Sequence, residues 1–128
     1  MNICGENMSI DDDLWGECTY TLFPKTVETA IKVAKNKKEL EDYVGYSMTY
    51  YLEVETNLSL LSEAINNQSI KPDEIAKIRM IWYVNPNRSE ERVEKEMKRD
   101  LEHQLETVGL NLNDFDYDFD CTLADFGV

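Results

Sequence analysis

The stretch Asn113–Cys121 reads NDFDYDFDC, with Asp114, Asp116, Asp118 and Asp120 alternating with Phe115, Tyr117, Phe119 and Cys121. Successive side chains of a β-strand point to opposite faces. As a strand, this segment has an aromatic face suited to burial and a face carrying a row of four carboxylates. Asp is depleted in strands, so the row runs against local propensity. Departures of that kind are where function is looked for first. A strand with one apolar and one charged face needs a core on one side and solvent on the other, as in an antiparallel or mixed sheet covered on one side.

Working outward, the same period of two recurs. Glu17 to Phe23 sets Cys18, Tyr20 and Leu22 against Glu17, Thr19 and Thr21, and Pro24 ends it. Ser47 to Glu55 sets Met48, Tyr50, Leu52 and Val54 against Thr49, Tyr51, Glu53 and Glu55. Glu74 to Val84 has Ala76, Ile78, Met80, Trp82 and Val84 opposed by Lys77 and Arg79. These, with Asp114 to Leu123, predict four strands. Lys25 to Lys35 fits either a helix or a further strand, and its β-branched residues favour the strand.

The helical signals lie between. Asn36, followed three residues on by Glu39, has the form of a capping box ahead of Leu40, Tyr43 and Val44, with Gly45 as the stop. Asn57 to Asn66 predicts a short helix with Leu58, Leu61 and Ile65 on its apolar side, and Asn67 to Pro72 a loop. Ser89 caps the strongest helix, with Val93, Met97, Leu101, Leu105 and Val108 on one stripe and Gly109 at its end. Met1 to Gly16 reads as irregular. With no repeat and no linker, residues 1–128 are expected to form a single α+β domain: a four- to five-stranded antiparallel or mixed sheet with helices on one face. If Lys25 to Lys35 is helical, the order approximates the ferredoxin-like one, in which the first and last strands are neighbours. Glu17 would then lie near the Asp row, and Lys77 and Arg79 could pair with Glu53 or Glu55.

The net charge is −13 and it is unevenly placed. Residues 1–24 carry −5 and residues 100–128 carry −8, without a single Lys or Arg in either segment, whereas residues 25–99 are neutral. Such a field repels nucleic acid and anionic membrane and attracts basic surfaces. No signal-peptide pattern and no apolar run of membrane-spanning length is present. Cys4, Cys18 and Cys121 are odd in number and far apart, which predicts reduced thiols and a cytoplasmic protein.

Specific chemistries find little support. Asp114, Asp116 and Asp118 occupy the first, third and fifth places of a calcium-binding loop, but Phe119 stands where that loop needs Gly. A weaker divalent-metal site on the Asp row is an alternative. The cysteines and His103 lack zinc spacing, and His103 reads as a solvated surface residue. No nucleophile elbow or Gly-rich phosphate loop occurs, so an enzyme is not expected, and no cofactor is implied.

The expectation that remains is a binding protein. Carboxylates at regular spacing along a strand resemble the phosphates of a nucleic-acid strand. They suit the Lys/Arg-lined groove of a nucleic-acid-binding protein, above all a nuclease. In charge, size and style the chain is similar to small acidic inhibitors of phage origin, the antirestriction and anti-CRISPR proteins, and to immunity proteins or antitoxins against nuclease toxins, although no family motif is matched. The residues expected to carry the contacts are Asp114, Asp116, Asp118 and Asp120, with Glu17, Asp11, Asp12 and Asp13 in support and Tyr51 as an outward aromatic. The competing account is an acidic face that serves solubility alone.

Overall fold

The computed structural model describes residues 15–42, 50–67, 69–85 and 88–124. In chain order the elements are β1 (Trp15–Pro24), α1 (Val27–Lys35), α2 (Lys37–Glu41), β2 (Tyr50–Thr56), α3 (Leu58–Ala64), α4 (Pro72–Ile75), β3 (Ala76–Val84), α5 (Glu90–Glu106), a 3₁₀ turn (Leu112–Asp114) and β4 (Phe115–Ala124). The four strands form one sheet in the order β2-β3-β1-β4, antiparallel throughout. β1 and β2 flank β3 and run parallel to each other, and β3 and β4 flank β1 in the same way. Each strand–helix–strand crossover therefore straddles one strand, the split arrangement of the ferredoxin-like order. The first and last strands are neighbours, as expected.

The core lies on one side of this sheet. Cys18, Tyr20 and Leu22 of β1, Leu52 and Val54 of β2, and Ile78 and Met80 of β3 are buried against Val27, Ala30 and Val33 of α1 and Val93, Met97, Leu101 and Leu105 of α5. The ambiguous segment Lys25 to Lys35 is helical. The Thr26 hydroxyl accepts the Thr29 N–H at 3.1 Å and caps α1. The helix can then bury one face of the segment against the sheet, which outweighs the β-branching of single residues. Ser89 caps α5 as expected, and α5 ends before Gly109, whose φ of 75° is a left-handed value that glycine adopts without a Cβ clash.

Several local expectations are corrected. Asn36 stands at the N-cap position of α2, as expected, but its side chain makes no capping bond there and closes α1 instead: its N–H donates to the Lys32 carbonyl at 3.1 Å and its Nδ2 to the same oxygen at 2.8 Å. Helix α2 ends at Glu41, and Tyr43, Val44 and Gly45 lie outside the described residues. Leu58 and Ile65 are exposed; α3 buries Ala64 and packs Leu60 and Leu61 partly against the core. Pro72 opens a helical turn, so the strand expected from Glu74 begins at Ala76. Strand β4 begins at Phe115, which leaves Asp114 in the 3₁₀ turn. Cys18 and Cys121 face each other across β1 and β4 and are joined by a disulfide, in place of the reduced thiols expected. Strand pairing brings these two residues together across a sequence separation of 103, which sequence spacing does not reveal.

Candidate functional site

The face of the sheet opposite the core carries the chain's unusual residues, and among the described residues no helix packs over it. Strand register arranges it in rows. Tyr51, Ile81, Thr19 and Asp120 form one row from β2 to β4; Glu53, Arg79, Thr21 and Asp118 form the next; beyond it Glu55 pairs with Lys77 and Phe23 with Asp116. Ile81 and Thr21, on the two central strands, are buried, and the three Asp are exposed.

Charge divides this face in two. On the β2–β3 half, Arg79 lies 3.2 Å from Glu53 and 3.6 Å from Glu55, and Lys77 lies 3.6 Å from Glu55. Two cations thus meet two carboxylates, the pairing expected from the alternation of those strands. On the β1–β4 half, the residues directly across from Asp116, Asp118 and Asp120 are Phe23, Thr21 and Thr19. None is a base. Glu17 lies on the same face, in register with Thr122 and Tyr83, and is diagonal to Asp120. The result is a strip of four carboxylates without a cross-strand counter-ion.

The expected site residues therefore separate. Asp116, Asp118, Asp120 and Glu17 are brought together. Asp114 stands one element earlier: its carbonyl accepts the Lys25 N–H at 2.9 Å and its residue belongs to the 3₁₀ turn. Asp11, Asp12 and Asp13 lie outside the described residues. Tyr51 is on the same face but at the far edge, three strand spacings or about 14 Å from Asp120. Burial pushes its phenol above the ordinary tyrosine value, with Tyr83, Glu53 and Glu17 adding to the shift. Tyr51 thus pairs with Tyr83, which stands directly across from Glu17, and lies apart from the β4 carboxylates.

The strip is poorly shaped for a metal. Neighbouring carboxylates on one strand face are roughly 7 Å apart, and among the described residues no three His, Cys, Asp or Glu converge to hold an ion. The segment that spaced like a calcium loop is a 3₁₀ turn running into an extended strand. A groove of about 890 Å³ opens at the opposite edge of the sheet, beside the end of β2, where Lys37 and Lys77 mix with Glu53, Glu55, Asp73 and Glu74. Two Lys against four carboxylates leave its lining net acidic.

One feature of the sheet was not visible in the sequence. The Val54 N–H donates to Glu41 Oε2 at 2.8 Å, and Lys37 Nζ donates both to the Val54 carbonyl at 2.7 Å and to Glu41 at 2.8 Å. Burial raises the Glu41 carboxyl, but the hydrogen bonds from Lys37 and Val54 and the charge of Lys37 outweigh it and hold the group below the usual carboxylate value. The four-residue spacing of Lys37 and Glu41 is a legible helix pair; that the pair would reach the main chain of β2 is a tertiary fact.

Comparison with protein-family models, with curated proteins and with solved structures finds no match to this chain.

Proposed function

We propose that this chain is an acidic binding protein that docks on a basic surface of a nucleic-acid-binding protein, with a nuclease as the favoured target, and blocks it by occupying the place of nucleic acid. The observation that supports this reading is the strip of Glu17, Asp116, Asp118 and Asp120 on an uncovered sheet face, where the other acids of the face are neutralised by Lys77 and Arg79. Charged groups on a rigid strand meet a Lys/Arg-lined groove with little ordering cost, through charge-assisted hydrogen bonds. A host enzyme and a toxin would present the same chemistry, so an inhibitor and an immunity protein are the same proposal at this surface. Such a target places the meeting in the cytoplasm. There a reducing poise acts on Cys18–Cys121, while the main-chain ladder and the core are untouched by it.

The test is capture of a nucleic-acid-binding protein on the immobilised chain over a salt series, with added duplex as competitor. Screening shortens from about 10 Å at 0.1 M to about 3 Å at 1 M salt. Capture is expected to fall steeply over that range, to yield to the duplex, and to be lost in the variant D116N/D118N/D120N with its circular dichroism unchanged. Undiminished capture by that variant, or capture indifferent to salt and duplex, rejects the proposal.

A further inference from the structure

We propose that the outer edge of β4 accepts an extended basic segment of the partner as a fifth strand. This inference rests on the acidic-surface reading above and adds that the partner contributes main chain as well as charge. The phase of β4 follows from two observations. The Lys25 N–H donates to the Asp114 carbonyl, which places the even-numbered residues in hydrogen-bonding register with β1. The Cα atoms of Cys18 and Cys121 are 4.1 Å apart, the close approach of an antiparallel pair that exchanges no main-chain hydrogen bonds. Since bonded and non-bonded pairs alternate, Asp116, Asp118 and Asp120 turn their N–H and C=O groups towards β1. Phe115, Tyr117 and Phe119 turn theirs outward. Among the described residues, the Leu112 carbonyl of the 3₁₀ turn accepts the Phe115 N–H, and no other element supplies hydrogen bonds to the outward groups of Tyr117 and Phe119.

The two edges of the sheet differ in this respect. At β2, Lys37 and Glu41 take up the outward main-chain groups of Val54. Unpaired edges invite strand addition, and proteins usually guard them. Here one edge is guarded and the other, ten residues long, carries the charge of the site.

The side chains select the occupant. An added strand alternates as β4 does. On the open side it meets Asp116, Asp118 and Asp120; on the other side it meets Tyr117, which is 59% exposed, and Phe119. Lys or Arg at every second position, with small or apolar residues between, is the complement. A second copy of this chain is the wrong occupant. Pairing the outward groups of two β4 edges sets even residues against even residues, so the overlapping Asp rows oppose each other.

The full chain is titrated with a ten-residue peptide alternating Lys and Thr, and with one of equal charge carrying Pro in place of Thr. The expected result is at least tenfold tighter binding of the Lys–Thr peptide, with amide exchange at Tyr117 and Phe119 slowed on binding. Tyr117→Pro removes an outward N–H at an edge position that tolerates proline and is expected to lose this preference. Tyr117→Ala, which keeps the N–H, is expected to retain it. Equal binding of the two peptides without slowed exchange overturns strand addition and leaves the acidic-surface reading standing. Binding undiminished in D116N/D118N/D120N, or no binding of either peptide, overturns both. Exchange at Tyr117 already as slow as in the ladder of the free protein, or a concentration-dependent dimer lost in Tyr117→Pro, shows an edge filled by this chain itself and also overturns the inference.

Discussion

Arg79 stands directly across from Glu53 on the open face of the sheet, with its guanidinium 3.2 Å from the Glu53 carboxylate and 3.6 Å from that of Glu55. On its other side Arg79 faces Thr21, and beyond Thr21 lies Asp118. The cation is thus committed to the β2 acids while the β4 acids have a hydroxyl for a neighbour. This placement, more than the net charge, gives the face a neutral half and an acidic half.

Replacing Arg79 by Ala should extend the acidic strip across the sheet. The pair is partly exposed, so the loss of stability is expected to be about 1 kcal/mol or less. Association with a polycationic ligand should become faster and more salt-dependent. Denaturant midpoints and stopped-flow rates at two ionic strengths measure these two effects separately.

Glu41→Gln should weaken the guard on the β2 edge at a cost of about 1 kcal/mol. Because its carboxyl is held below the ordinary value, the contribution of Glu41 is fully present above the unfolded carboxylate range and is lost as pH falls through the lowered folded value. The difference in urea midpoint between native chain and variant is therefore expected at pH 7 and should shrink in acid below pH 4. An equal difference at both values would show that hydrogen bonding by the charged form is not the source.

The Cys18–Cys121 bridge ties the edge strand to the sheet and closes a long loop. Disulfides typically stabilise by about 2–4 kcal/mol, and loop entropy in the unfolded chain places a loop this long at or above the top of that range. Cys121→Ser, or a reductant, should lower the thermal midpoint. The fold should persist, because both positions also sit in an unbroken ladder with β1 paired on either side. Far-ultraviolet circular dichroism with and without reductant provides the readout.

Burial pushes the Tyr20 phenol up to about 12, with Tyr117 and Glu94 adding to the shift. A group whose folded value is raised contributes stability below its unfolded value, here about 10, and loses it as pH rises through the folded one. Stability should therefore decline between about pH 10 and 12. A tyrosine absorbance titration should show a step near pH 12, and Tyr20→Phe should remove it.

Much of the fold was legible because one physical rule, the period of two, operates residue by residue. The alternations around Tyr20, Val54, Met80 and Phe119 established four strands and their inward faces, and the stripe from Val93 to Leu105 established the long helix and its buried side. The same rule put Asp116, Asp118 and Asp120 on the outward face. Local signals failed where two local patterns competed. Lys25 to Lys35 carries both periods, and only the chance to bury Val27, Ala30 and Val33 on the sheet chose the helix. Asn36 starts α2 as its pattern indicates, but its side chain turns back to the Lys32 carbonyl of α1. Leu58 and Ile65 were placed inward by spacing, yet α3 is short and turns Ala64 to the core instead.

By itself, then, the sequence determined which residues face inward along the four strands and the long helix, and that the excess charge belongs to the chain ends. Side-chain alternation and helical period are properties of the local backbone and need no partner. Which strands are neighbours was decided only in three dimensions. That single choice joined Cys18 to Cys121, set Glu17 beside Asp120, spent Arg79 on Glu53, and made β4 an edge strand with the outward main chain of Tyr117 and Phe119 free of the described elements. Pairing joins residues a hundred positions apart, and the hydrogen bonds and charge contacts that follow from it have no local signature.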